Sequence, residues 1–195
     1  MSEFIEEHPF PPLLPPNTTV MMMGTFPPAA EKRCMNFYYP NFQNDMWRIY
    51  GEIFFSNPLH FQIKDEKQFD SAKISQFIQQ KGIALCPTVN KAIREHNNAS
   101  DKYLKVVEAV NLNTILPQIP NCQWLFTTGG KATDILLNML PTKTKAPKTN
   151  EWIDYHYNNF QLKLYRLPST SRAYPLSFSK KVEAYRQFFL LSGIL

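Results

Sequence analysis

An asparagine and an aspartate stand side by side where an aromatic-rich loop runs into a predicted helix. The loop carries Phe37, Tyr38 and Tyr39, and it leads to Asn44 and Asp45. A loop tyrosine offers a flat face on which a nucleobase can stack. The side-chain oxygen of Asn44 could hold an attacking water, or it could cap the helix. Asp45 could act as a general base, although an aspartate in a first helical turn also suits the helix dipole.

A second polar cluster lies near the carboxyl end of the chain. Ser169, Thr170 and Ser171 are consecutive, and Arg172 follows them. Hydroxyl and guanidinium groups are common partners of phosphate oxygens in protein–DNA interfaces. A polar loop that leads into the last helix would have the same composition. The segment therefore indicates either a contact with a DNA backbone or a connecting loop.

Two further segments place glycines directly after predicted strands. Gly24, Thr25 and Phe26 end the first apolar run, and the amides of such a turn could bind water or a base edge. Thr128 precedes two glycines and Lys131, and glycines before a helix can present amides to an anion. Each segment could equally be a turn without a ligand. The spacing of the second does not match a P-loop.

The elements that must position these residues alternate between strand and helix. The apolar patterns predict strands at 18–25, 82–86, 124–128 and 160–167, and helices at 44–55, 69–80, 101–110, 112–119, 131–139 and 177–191. This order predicts a three-layer α/β/α fold with a central, mostly parallel four-stranded sheet. We expect one domain over residues 18–195, after an extended proline-rich lead-in over residues 1–17. The loops at 24–44, 128–131 and 168–175 should converge on one crevice at the carboxyl ends of the strands.

Composition narrows the class of protein. The formal net charge is +5, which suits a polyanionic partner such as DNA. The chain shows no apolar run long enough to cross a membrane and no signal peptide, so we expect a cytoplasmic protein. Three widely separated cysteines argue against a disulfide framework, and the four histidines lack metal-ligand spacing. We expect no metal, no cofactor and a monomer.

Taken together, these segments resemble the uracil-DNA glycosylase superfamily, and in particular its mismatch-specific and hypoxanthine-DNA glycosylase branches. The resemblance covers residues 18–190 and weakens over residues 56–120. It is carried by Gly24-Thr25-Phe26-Pro27, by the segment from Tyr39 to Trp47, by Leu167-Pro168-Ser169-Thr170-Ser171, by Gly130-Lys131-Ala132 and by Val182-Glu183-Ala184-Tyr185-Arg186.

The resemblance implies an enzyme that flips a deaminated or mismatched base, uracil or hypoxanthine, out of DNA and hydrolyses its N-glycosidic bond. It places Tyr39 as the stacking aromatic and Asn44 as the catalytic asparagine, with Asp45 beside it. Gly24, Thr25, Phe26 and Thr128 would line the base pocket. The segment from Ser169 to Arg172, with Lys131, would grip the DNA and fill the gap left by the flipped base.

The chain departs from the resemblance at two pocket positions. The mismatch-specific branch has an asparagine where this chain has Phe26, and the hypoxanthine branch has one where it has Thr128. Because polar pocket groups select the base, the resemblance does not specify which base is removed. A binding protein with the same fold and no turnover is the alternative, and an unrelated α/β enzyme acting on a small nucleotide is a further one.

Overall fold

The structure, a computed structural model, describes residues 4–95 and 100–195. Its strands are β1 (Ile5–Glu7), β2 (Val20–Met23), β3 (Ile83–Leu85), β4 (Val89–Arg94), β5 (Leu104–Ala109), β6 (Trp124–Thr128), β7 (Trp152–Tyr157) and β8 (Phe160–Leu167). Its helices are α1 (Met46–Phe55), α2 (Ser71–Gln80), α3 (Leu112–Ile115), α4 (Gly130–Leu137) and α5 (Phe178–Ser192). Short 3-10 helices cover Ala30–Lys32, Asp101–Tyr103 and Leu116–Gln118.

The central sheet has five strands in the order β3-β2-β6-β8-β7. The first four run parallel and correspond to the four predicted strands. The prediction of a four-stranded sheet is wrong, because β7 adds an antiparallel edge through a hairpin with β8. The strand β7 carries an alternating and largely exposed sequence, so it lacks the continuous apolar run that marks the buried strands.

A second, smaller sheet joins β1, β4 and β5 in antiparallel order. The prediction of a helix over 101–110 is wrong, because most of that segment forms β5. The adjacent Val106 and Val107 favour extended backbone, and β4 supplies the pairing partner. Part of the proline-rich lead-in is also a strand, since Ile5 pairs with Ile93. Residues 1–3 of the lead-in lie outside the described part of the chain.

Helices cover both faces of the central sheet, which confirms the layered α/β architecture. One face packs against α1, α2 and α5 through aromatic side chains that include Trp47, Tyr50 and Phe189. The other packs against α3 and α4 through aliphatic side chains such as Leu125 and Leu136. Along β2, Val20 and Met22 face the first layer, whereas Met21 and Met23 face the second. A strand buried on both faces explains why its sequence is uniformly apolar.

The parallel register brings three strand ends to one edge of the sheet. Met23 pairs with Thr127, and Thr128 pairs with Leu167. The residues that follow β2, β6 and β8 therefore start side by side, although they are far apart in sequence. No helix in the described ranges 4–95 and 100–195 is long and apolar enough to cross a membrane.

We predict that Gly82→Ala destabilises the fold more than Gly193→Ala. Both glycines have positive φ, at 67° and 76°. A Cβ at Gly82 would lie 2.6 Å from the carbonyl oxygen of Asn17, whereas one at Gly193 would meet nothing within 4 Å. The backbone strain is common to both variants, so the clash should cost about 1–3 kcal/mol more at Gly82. Urea unfolding of the two variants measures the difference, and equal losses would contradict the clash.

Candidate active site

A cavity of about 610 Å³ opens at the carboxyl edge of the parallel strands. Its wall combines the loops after β2 and β8 with Thr128 at the end of β6, residues of the lead-in and the segment before β5. The predicted site residues that line it are Gly24, Thr25, Phe26, Tyr39, Asn44, Thr128, Ser169, Thr170 and Ser171. Three predicted site residues do not line it, namely Asp45, Lys131 and Arg172.

Tyr39 is held at the cavity wall by close contacts on several sides. Its hydroxyl lies 3.0 Å from Oγ1 of Thr128, and its ring meets Trp47 edge to face at 6.2 Å. A Cβ on Gly24 would lie 2.7 Å from the Tyr39 hydroxyl, so this approach requires glycine. Tyr39 has a φ of 52°, a left-handed conformation that an aromatic residue adopts only where its surroundings impose it. Burial raises the pKa of the phenol, which keeps it neutral.

Asn44 sits where the loop meets α1, with its side chain at the cavity. Its Oδ1 accepts a hydrogen bond from the backbone amide of Met46 at 2.9 Å. Its own amide donates to the carbonyl of Asn41, and its carbonyl accepts from Arg48. These bonds fix the backbone on both sides of the side chain. A carbonyl oxygen has two lone pairs, so Oδ1 can cap the helix and still accept a bond from a water in the cavity.

Asp45 points away from the cavity into a network of charges. Its Oδ2 accepts from Nζ of Lys181 at 3.3 Å, and its Oδ1 accepts from Nε of Arg172 at 3.2 Å. Lys181 is only 1% exposed, whereas the side chain of Arg172 is 49% exposed. The carboxylate thus neutralises a buried ammonium group on α5. In this position the carboxylate cannot reach the cavity to act as a general base.

The segment from Ser169 to Arg172 is a turn whose backbone is held by hydrogen bonds from other elements. Nζ of Lys181 donates to the carbonyl of Ser171 at 2.8 Å, and the hydroxyl of Tyr185 donates to the carbonyl of Pro168. The carbonyl of Thr170 accepts from the amide of Asp45. The segment is therefore tied to both α1 and α5. Its exposed face presents Arg172, whose Nη1 donates to Oε1 of Gln43.

Lys181 was not predicted as part of the site, although the sequence contains a signal for it. It occupies the same face of α5 as Tyr185 and Phe188, which lie four and seven residues further on and are buried. A lysine on an otherwise apolar stripe must find a partner for its charge. The identity of that partner, Asp45, could not be inferred from the pattern.

Asp101 lines the cavity and was also not predicted, because its segment was assigned to a helix. Its Oδ1 accepts a hydrogen bond from the hydroxyl of Thr25 at 2.5 Å. Thr88 is nearby, and its amide and hydroxyl both donate to the carbonyl of Gly24 at 2.8 Å. Burial raises the pKa of the Asp101 carboxyl, while the Thr25 hydrogen bond and the charge of Lys131 oppose that rise.

Lys131 supports this turn instead of facing the cavity. Its Nζ donates to the carbonyl of Asp101 at 2.7 Å and to the carbonyl of Leu104. Gly130 lies against the guanidinium of Arg166, because a Cβ there would come within 3.1 Å of Nη2. The segment from Thr128 to Lys131 thus connects the main sheet to the smaller one.

Phe26 and His8 form an apolar part of the cavity wall. Their rings meet edge to face at 5.3 Å, and Phe26 also packs toward Val89 and Leu104. Burial lowers the pKa of His8 to about 4, so the imidazole is neutral at physiological pH. No group of three or more metal-ligating side chains is found within residues 4–95 and 100–195. His96 lies outside those ranges.

We predict that Lys181→Met lowers the free energy of unfolding by about 3 kcal/mol. The substitution leaves Asp45 buried with only the half-exposed Arg172 as a partner, and removing one member of a buried ion pair is costly. Lys180→Met is the matched control, because Lys180 is exposed on the same helix turn. Chemical denaturation compares the two, and a similar small loss in both would contradict the role of the pair.

We also predict that His8 makes the fold less stable as the pH falls from 6.5 toward 4. In this range the unfolded chain binds a proton that folded His8 excludes, so stability rises with pH. The contribution to the slope is at most about 1.4 kcal/mol per pH unit.

His8→Gln should flatten this part of the stability profile, and His156→Gln, at an exposed strand position, should not. Urea midpoints measured at several pH values give the slopes. An unchanged slope in His8→Gln would show that other groups cause the acid sensitivity.

No protein-family profile matches the chain, and no curated protein sequence matches it. In fold, it is similar to a protein from Methanosarcina acetivorans whose solution NMR structure is described as that of a provisionally assigned uracil DNA glycosylase. The TM-score is 0.66, with 19% identity over 97% of this chain and 99% of that chain. The mixed sheet with helices on both faces is therefore a uracil-DNA-glycosylase-like fold.

Proposed function

We propose that this protein is a monofunctional DNA N-glycosylase that extrudes a deaminated or mismatched base, uracil or hypoxanthine, and hydrolyses its N-glycosidic bond. The observation that carries the proposal is the cavity at the carboxyl edge of the sheet. It combines the side-chain oxygen of Asn44 with the ring of Tyr39, in the fold of a provisionally assigned uracil DNA glycosylase. A concave site with a few convergent polar groups is the usual form of a small-molecule site.

The turn from Ser169 to Arg172 is the proposed contact with the DNA backbone. It lies at the rim of the cavity, it exposes Arg172, and its backbone is fixed by Lys181. Phosphate contacts of this kind fix the position of a protein on the duplex and carry no sequence information. Extruding a nucleotide costs a few kcal/mol, and less for a mismatched base, so such bases enter more readily.

In the proposed reaction, Asn44 Oδ1 orients a water toward the sugar carbon. The water supplies the hydroxyl group to that carbon, the N-glycosidic bond breaks, and the electron pair leaves with the base, which takes up a proton. Thr25 and Phe26 line the cavity, and their backbone amides donate no hydrogen bond within the described part of the chain. In the proposed reaction these amides stabilise the negative charge of the departing base, as an oxyanion hole does.

The arrangement of lysines supports hydrolysis without a lyase step. An amine nucleophile would have to reach the sugar carbon. Lys131 and Lys181 are engaged with backbone carbonyls, and the described residues that line the cavity include no lysine. Water is therefore the proposed nucleophile.

A catalytically silent DNA-binding protein is the second candidate. Two observations favour it. Phe26 gives the cavity an apolar wall where a polar group could have held water, and Oδ1 of Asn44 already accepts one hydrogen bond from Met46. Such a protein would bind DNA with a strong dependence on salt and would release no base.

We predict that Asn44→Ala lowers base release by at least about 100-fold, because the water loses its orienting acceptor. The assay is release of free base from oligonucleotides that carry uracil, hypoxanthine, xanthine or a G·T mismatch. Asn111→Ala is the matched control, since Asn111 accepts the same kind of amide bond at the start of α3, at 3.0 Å, and does not line the cavity.

The controls separate the two candidates. Asn111→Ala should keep the wild-type rate, which would exclude loss of a helix cap as the cause of any defect in Asn44→Ala. A wild-type protein that binds the oligonucleotides but releases none of the four bases would instead support the silent DNA-binding protein.

A further inference from the structure

The side chain of Asp101 places a carboxyl group in the cavity wall. It reaches the cavity from the turn before β5, outside the central sheet. The hydroxyl of Thr25 donates to its Oδ1 at 2.5 Å, which fixes the direction of the group. Within the described part of the chain, Oδ2 accepts no hydrogen bond. One oxygen is thus positioned by the protein and the other is available to a ligand.

The cations near Asp101 do not form an ion pair with it. Nζ of Lys131 donates to the backbone carbonyls of Asp101 and Leu104, and Arg94 pairs with Glu6. A partly buried carboxyl without an ion-pair partner is costly to keep in a fold. Such groups are found preferentially where they serve a binding or chemical role.

We propose that Oδ2 of Asp101 accepts a hydrogen bond from the ring N–H on the Watson–Crick edge of the extruded base, and so favours uracil over its parent cytosine and hypoxanthine over its parent adenine. This inference rests on the function proposed above. It names a residue that determines specificity at the same cavity, and it is independent of whether Asn44 orients the water.

The selection follows from what deamination does to a base. Cytosine presents an unprotonated N3, and its product uracil presents N3–H. Adenine presents an unprotonated N1, and its product hypoxanthine presents N1–H. A carboxylate only accepts hydrogen bonds, so it matches both products and opposes both parents, whose lone pairs face its own. A single oxygen can therefore distinguish uracil from cytosine and hypoxanthine from adenine, whereas thymine and guanine, which also carry a ring N–H, must be excluded by other parts of the site.

Other polar groups of the wall are less available for this contact. Oγ1 of Thr128 is engaged with the hydroxyl of Tyr39 at 3.0 Å, and the carbonyl of Gly24 already accepts two bonds from Thr88. The cavity, at about 610 Å³, falls within the range of ligand-binding cavities. A cavity of this size could hold either a pyrimidine or a purine. Discrimination between bases therefore depends on hydrogen bonds.

The test changes one functional group on the protein and one on the base. Asp101→Asn preserves shape and an acceptor for Thr25, and it replaces the other oxygen with an NH₂ donor. The substrate pair is a duplex with hypoxanthine and the same duplex with unsubstituted purine, whose N1 carries no proton. Single-turnover rates of base release are measured for both. Asp134→Asn, at an exposed carboxylate on α4, is the control.

The wild-type protein and Asp134→Asn should prefer hypoxanthine, and Asp101→Asn should reduce the ratio of the two rates by about 10- to 100-fold, the range for a hydrogen bond to a charged group. Differences in leaving ability between the bases cancel in this comparison. Equal losses on both substrates would overturn the inference, because they would make Asp101 a residue that only positions others.

Binding of the free bases separates this inference from the proposed reaction. Calorimetry with hypoxanthine and with purine is run on the same proteins. A wild-type protein that releases no base, yet prefers hypoxanthine through Asp101, would refute the glycosylase and retain the recognition. Release of hypoxanthine with a ratio of rates that is unchanged in Asp101→Asn would support the glycosylase and refute the recognition by Asp101. No preference for hypoxanthine in either experiment would also overturn the recognition.

The preference should also depend on pH. As the pH falls through the raised pKa of Asp101, the carboxyl takes up a proton, stops acting as a pure acceptor and loses its preference for a ring N–H. The charges that face it, Lys131 and Arg94, favour the ionised form, and Tyr39 remains neutral. In Asp101→Asn this pH dependence should disappear, and its persistence there would count against the inference.

Discussion

The buried ion pair between Asp45 and Lys181 connects the parts of the molecule that face the cavity. Asp45 begins α1 directly after Asn44, and Lys181 lies on α5 and holds the carbonyl of Ser171. The backbone amide of Asp45 also donates to the carbonyl of Thr170. One charge pair therefore fixes the side chain proposed to orient water relative to the turn proposed to bind DNA. Because both charges are buried, neither can leave without a large cost in stability.

Part of the cavity wall consists of neutral groups that bond to one another. Tyr39 and Thr128 bond to each other, Thr88 satisfies the carbonyl of Gly24, and His8 is neutral. These contacts engage several of the polar groups of the wall within the protein itself. The polar groups on which the proposals rest are the second lone pair of Asn44, one oxygen of Asp101 and the backbone amides of Thr25 and Phe26. Such groups can discriminate sharply, since each unmatched group is costly.

The sequence was sufficient for the parts of the fold that depend on local pattern. The four parallel strands are largely apolar runs, and Gly24, Asn44 and Thr128 lie at or beyond their carboxyl ends. The sequence was insufficient where contacts between distant segments determined the structure. The charges at 101, 105 and 108 have the spacing of a helix surface, but pairing with β4 makes the segment a strand. The direction of Asp45 depended on a partner 136 residues away.

The wall of the cavity draws on nearly the whole length of the chain, from His8 in the lead-in to Pro175 after the last strand. The strand β8 also inserts between β6 and β7, so the parallel sheet is incomplete until residues 160–167 have been synthesised. Contacts of such large sequence separation form late and slowly during folding. A nascent chain therefore has no complete cavity, and the site forms only when the last strand and α5 have joined the fold.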